Sequence, residues 1–157
     1  MAGTHLFERP AVKAELAQES PGASERSPSH LAYQVLHVGY TVLPILMGID
    51  KFARVFVNWD LYLSGSVQKL LPMSGHSFML IVGCIEIAAG FLVAILPRLG
   101  AFVVAAWLVG IVINLLLVPS YYDIALGDLG LALGAFALGL LSRDYGRPIG
   151  KLFRREA

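Results

Sequence analysis

Four long apolar windows alternate with short polar segments along this chain, and charged residues gather almost entirely between and beyond them. The windows run from about Leu31 to Phe52, Phe78 to Pro97, Leu99 to about Val118, and about Leu126 to Ser142. At 1.5 Å rise per residue each makes a helix roughly 25 to 33 Å long, which matches a hydrocarbon core of about 30 Å. The pattern therefore predicts four membrane-spanning helices. Only Pro97, Arg98 and a residue or two separate the second and third windows, so those helices form a tight antiparallel hairpin. Pro119 closes the third, and SYYDIALGD supplies a short link to the fourth.

Composition agrees with this pattern. Hydrophobic residues make up 57% of the 157 residues and charged residues 15%, above the apolar share of a water-soluble domain. The net charge of +1 argues against a nucleic-acid partner. The single cysteine, Cys84, excludes an internal disulfide and any Cys-x-x-Cys motif, and it reads as a space-filler in a helix. Three segments follow: a flexible polar tail over residues 1–29, a four-span membrane domain over 30–145, and a basic tail over 146–157. A short helix is favoured from Pro10 to about Gln18, since AVKAELAQ is rich in helix formers and proline suits a first helical position. No apolar run precedes Leu31, which speaks against a cleavable signal peptide.

Lysine and arginine counts orient the bundle. Nine lie on the face that carries the two tails and the Pro97–Arg98 link, and three, Lys51, Arg54 and Lys69, lie on the opposite face. The positive-inside rule then puts the N-terminus and the C-terminus in the cytoplasm; a prokaryotic cytoplasmic (inner) membrane is the location that the family resemblance given below implies. The link from Arg54 to Ser77 faces outward. Phe56, Trp59, Leu63, Val67 and Leu70 recur along it at helical spacing, consistent with an interfacial amphipathic helix interrupted near Ser64 to Ser66. Trp59, Tyr62, Tyr121 and Tyr122 fit an aromatic belt at that level; the competing reading makes the link a lid over the outer half of the bundle.

Polar and small residues mark the inward face of each span, because lipid offers no hydrophobic force between helices. The stripes are His37, Thr41, Pro44, Gly48 and Lys51; Gly83, Glu86, Ala89 and Gly90; Gly100, Val103, Trp107, Gly110 and Asn114; and Asp128, Ala132, Ala135 and Gly139 beside Gly127, Gly130 and Gly134. Gly48, Gly83, Gly90, Gly130 and Gly134 are the expected points of backbone approach. Four such stripes describe an all-α integral membrane four-helix bundle. Glu86 is the sharpest chemical signal, since a carboxylate deep in a span costs about 2.5 to 3.5 kcal/mol on insertion scales and must face protein or trapped water. Lys51, Asn114 and Asp128 lie at similar outer depths and are its candidate ligand-binding neighbours, with Glu86 and Asp128 as candidate proton carriers. His37 lies too far toward the inner end to join them and reads as a helix–helix hydrogen bonder. No metal site is read from the sequence.

With these residues in place, the chain resembles the DoxX/DoxD-like family of small four-helix membrane proteins. The resemblance rests on LPILMGIDKF ending span one, an outer link of about 25 residues, IEIAAGFLVAI in span two and the PRLGA link, and it covers about Tyr33 to Tyr145. It implies an accessory membrane component of a redox complex, with Gly48, Lys51, Glu86 and Gly90 as the positions that carry over. A chain with no cysteine cluster and no pair of membrane-embedded histidines suited to haem cannot carry electrons alone, so a redox role calls for a quinone or a protein partner subunit. Two functions are in view: a redox-linked, quinone-associated subunit with Glu86 as proton carrier, or a structural and assembly subunit, a membrane anchor or a homo-oligomer, in which Glu86 fixes helix order by pairing with Lys51 or Asn114. A solute pathway is disfavoured, because four short helices enclose little volume and no inverted repeat is present.

Overall fold

The structure, a computed structural model, describes residues 27–146. The expected helix from Pro10 to about Gln18 and most of both tails lie outside the described residues. Within them the chain is helical, with no strand, and four helices are long and apolar enough to cross a membrane. The chain has the form of a multi-pass membrane protein.

Each helix begins where the local chemistry allows it. Helix α1, Pro28–Ala53, starts with proline in its first turn and Ser27 as its cap, the Ser27 hydroxyl accepting from the His30 amide. It ends at Arg54, whose φ of 52° turns the chain back across the bundle end. A short helical turn, Trp59–Tyr62, and the four-residue helix α2, Gly65–Gln68, follow. Ser64, in the stretch expected to interrupt the link, is the cap of α2 and accepts from the Val67 amide at 3.1 Å.

Helix α3, Gly75–Ile95, starts three residues before the expected Phe78, because the Ser74 hydroxyl caps it by accepting from Ser77 at 3.1 Å. Leu96 alone separates α3 from α4, Pro97–Leu116, so Pro97 opens the third span rather than closing the second. As the first residue of a helix, proline loses no hydrogen bond that the helix would make. Helix α5, Tyr122–Tyr145, starts four residues before the expected Leu126. The link SYYDIALGD is therefore mostly helix, with Asp123 in the first turn where the helix dipole favours an anion. Helices of 26, 21, 20 and 24 residues are about 30 to 39 Å long at 1.5 Å per residue.

Around the bundle the order is α1, α3, α4, α5. Packing is most extensive between α1 and α3 and between α4 and α5, and slight across the α1–α4 diagonal. One core, toward the end where α1 begins, joins Tyr33, Tyr40, Ala89, Val93, Val104, Ala105, Ala135 and Leu138; a second, beneath the link between α1 and α3, joins Leu63, Met79 and Val82 with Trp59, Val67 and Trp107. Val35, Val38, Ile113, Leu126 and Leu133 point outward, where lipid rather than water would meet them.

The α1–α3 seam depends on glycine. A Cβ at Gly48 would stand 2.6 Å from the Gly83 carbonyl oxygen, one at Gly83 would stand 2.8 Å from the Gly48 oxygen, and one at Gly90 would stand 2.7 Å from the Thr41 oxygen. Backbone thus meets backbone at three levels, which only residues without side chains allow. On α5, Gly134 makes room for the Tyr40 hydroxyl. Gly130 departs from expectation: nothing lies within 4 Å of a Cβ placed there, and the same holds for Gly110 and Gly127. These three glycines face out of the bundle. The buried face of α4 is also rotated from the expected stripe, to Gly100, Ala101, Val104, Ala105 and Leu115, because α4 packs chiefly on α5.

Candidate functional site: a buried ion pair under an aromatic lid

Three residues, nearly one helical turn, separate Gly48 from Lys51 on α1 and Gly83 from Glu86 on α3. The close glycine crossing therefore carries these two side chains into contact. Lys51 Nζ donates to Glu86 Oε2 at 2.6 Å, with the two residues 5% and 8% exposed. Each charge is costly away from water, and each offsets the cost of the other. Lys51 also lies in the last turn of α1, where the helix dipole favours a cation.

Above the pair, the Trp59 ring stands 3.8 Å from Lys51 Nζ, a cation–π contact that covers the ammonium from the outer side. Asp50 holds the tryptophan in place. Its Oδ2 accepts from Trp59 Nε1 at 2.8 Å, while its Oδ1 accepts from the Val55 and Phe56 amides at 2.9 and 3.1 Å, anchoring the chain as it leaves α1. On the exposed rim, Arg54 donates to Asp60 at 3.2 Å and contacts the His76 ring, whose Nδ1 lies 3.4 Å from Asp60. Together these contacts tie the outer link to both α1 and α3.

Asn114 lies in this lid rather than beside Glu86. Its Oδ1 accepts from the Ser64 amide at 3.0 Å, and its Nδ2 donates to the Tyr62 carbonyl at 2.6 Å. The expectation of Asn114 as a neighbour of the carboxylate fails because both halves of its amide are engaged by backbone groups of the link. The link itself is divided. Phe56 and Leu70 are exposed as an interfacial segment requires, whereas Trp59, Leu63 and Val67 turn inward, so the lid reading describes its central part.

Asp128, partly buried on α5, lies within electrostatic reach of both Lys51 and Glu86 but makes no hydrogen bond to either. Trp107 on α4 borders the same space. Its Nε1 is buried without a hydrogen-bond partner among the described residues, and the ring shares a crevice with Ile85 and Ala89, which bracket Glu86 on α3. The candidate cluster is therefore Lys51, Glu86, Asp128 and Trp107, with Trp59 as cover. The sequence offered a signal for Trp107, an indole in mid-span on the helix opposite Glu86; nothing local distinguished Trp59 from a belt residue.

At the opposite end, His37 Nε2 lies 3.0 Å from the Val93 carbonyl oxygen, bridging α1 to α3. Tyr145, His30, Tyr33 and His37 stack in succession, and the Ser29 hydroxyl meets Tyr145 at 2.6 Å. These contacts close α1 against α5. Cys84 is exposed on the outer face of α3. Comparison with protein-family models, curated proteins and solved structures finds no match to this chain.

Proposed function

We propose that this chain is a small accessory subunit of a redox-linked membrane complex, with the Lys51–Glu86–Asp128 cluster handling a proton beside a membrane-soluble quinone. The observation that carries the reading is the surplus of carboxylates. One ammonium bonds one carboxylate at 2.6 Å, and a second carboxylate, Asp128, stands within reach but unbonded. Two acids and one base in a low-dielectric site can share one proton: a carboxylate that the ammonium leaves takes the proton up, and one that it approaches gives it away, which suits a relay. The redox and quinone parts follow the resemblance to DoxX/DoxD-like proteins. The positive-inside rule favours a cytoplasmic position in a prokaryotic inner membrane for the end carrying both tails; a reporter enzyme that is active only outside the cytoplasm, fused after Ala157, should be inactive there.

Glu86→Gln tests the chemistry. The protein is drawn from membranes in gentle detergent with its co-purifying subunits, and quinone-linked turnover is measured on the recovered complex. The expected result is normal assembly with turnover lowered by about 10²-fold or more, the size of a lost proton-transfer group. Unchanged turnover in a normally assembled complex refutes the relay.

A second reading has its own support. The ion pair lies next to the closest approach of α1 and α3, at Gly48 and Gly83, where it can serve only to fix helix order in a scaffold or assembly subunit. On that reading the double replacement Lys51→Met with Glu86→Leu preserves both assembly and turnover.

A further inference from the structure

The Lys51–Glu86 pair is flanked by two groups that it leaves without a direct partner. On one side is Asp128, a carboxylate that senses Lys51 without bonding it. On the other is the indole Nε1 of Trp107, a buried donor without an acceptor among the described residues. A buried donor left unmatched is costly, and native structures rarely keep one without a reason. Both groups would gain a partner if Lys51 turned to Asp128 and Glu86 turned to Trp107.

We infer that Trp107 is a positioning residue for Glu86, giving the carboxyl group a second hydrogen-bond partner when Lys51 moves to Asp128. Three features support this. Ile85 and Ala89, which bracket Glu86 on α3, line one crevice with Trp107, so the indole lies beside the stretch of helix that carries the carboxyl group. Trp107 also borders that crevice, of about 340 Å³ between α3 and α4 and lined further by Val103 and Ala106, so the ring is not packed on every side. Lysine has a flexible four-carbon stem with three rotatable donors, which suits it to exchange one carboxylate for another. The inference rests on the proposed proton-handling role: the N–H stabilises Glu86 after Lys51 has left, and it keeps the carboxyl from swinging toward lipid.

The test reads the indole directly in the full chain, in lipid nanodiscs with ¹⁵N-labelled tryptophan. Two indole N–H resonances are expected from the two tryptophans, and the one lost in Trp107→Phe is thereby assigned. Lys51→Met releases Glu86, so the Trp107 indole proton should move downfield and exchange more slowly with solvent. Adding Glu86→Leu should reverse both changes. Lys51→Gln makes the same test if the methionine variant does not fold. A Trp107 resonance that is the same with and without Glu86 in the Lys51 variant overturns the inference. Asp128→Asn should keep Lys51 on Glu86 and leave the resonance at or upfield of its wild-type position; a downfield move overturns the exchange of Lys51 between carboxylates. A fixed indole beside a turnover loss in Glu86→Gln would refute the second arrangement alone, and a responsive indole beside unchanged turnover would refute the proton role alone.

Discussion

Gly48→Ala adds one methyl group at the point where α1 crosses α3, and the structure fixes what that methyl meets. Its carbon would lie 2.6 Å from the Gly83 carbonyl oxygen and 2.8 Å from Ile87 Cγ1. Ordinary contact between such atoms begins near 3.4 Å, so about 0.8 Å is missing. The Ile87 side chain can rotate away, but the Gly83 oxygen is backbone and cannot, so the helices must separate. Overpacking of this kind costs about 1 to 3 kcal/mol, partly offset by up to about 1 kcal/mol from the better helix propensity of alanine. The same substitution at Gly39, on the same helix, meets nothing within 4 Å and should be neutral or stabilising by about 0.5 to 1 kcal/mol. Reversible unfolding of the full chain by dodecyl sulfate in mixed micelles measures the difference. Because Lys51 and Glu86 each lie three residues beyond their seam glycine, Gly48→Ala should also loosen the ion pair and shift Trp59 fluorescence, which Gly39→Ala should not. If the two variants unfold at the same detergent fraction with the same fluorescence, the glycine seam does not hold α1 to α3.

Two further outcomes follow from the same geometry. Lys51→Met strands a buried carboxylate and should lower unfolding free energy by about 3 to 5 kcal/mol, while adding Glu86→Leu should recover most of it, since a buried pair replaced by apolar groups is often near neutral. Failure of the double variant to recover, in the same unfolding assay, would show that the pair acts through more than mutual compensation. Asn114→Leu removes the partners of the buried Ser64 amide and the Tyr62 carbonyl, at about 1 to 3 kcal/mol for each group left unsatisfied. Amide exchange should then quicken at Ser64 and Leu63, and an unchanged rate there would mean that Asn114 does not hold the lid.

The four spans were legible in the amino-acid sequence, because a bilayer of nearly fixed thickness requires long uninterrupted apolar helices, and that requirement is written residue by residue. It also singled out Glu86, since a lone carboxylate in an apolar run needs a partner wherever the run folds. The seam glycines Gly48, Gly83 and Gly90 were legible for a related reason: small residues at helical spacing mark close approach. Helix ends were less so, because capping by Ser74 and helix entry at Tyr122 depend on one hydroxyl and on the first turn rather than on hydropathy. Which partners each polar group took depended on how the helices pack together. Asn114 shares its depth with Glu86 yet is bound to the lid, and Gly130 shares its spacing with Gly134 yet faces outward. Trp59 could have been a belt residue but covers Lys51. In each case the deciding quantity is the rotation of one helix about its axis against another, which follows from the summed packing of whole faces and is not carried by any single position.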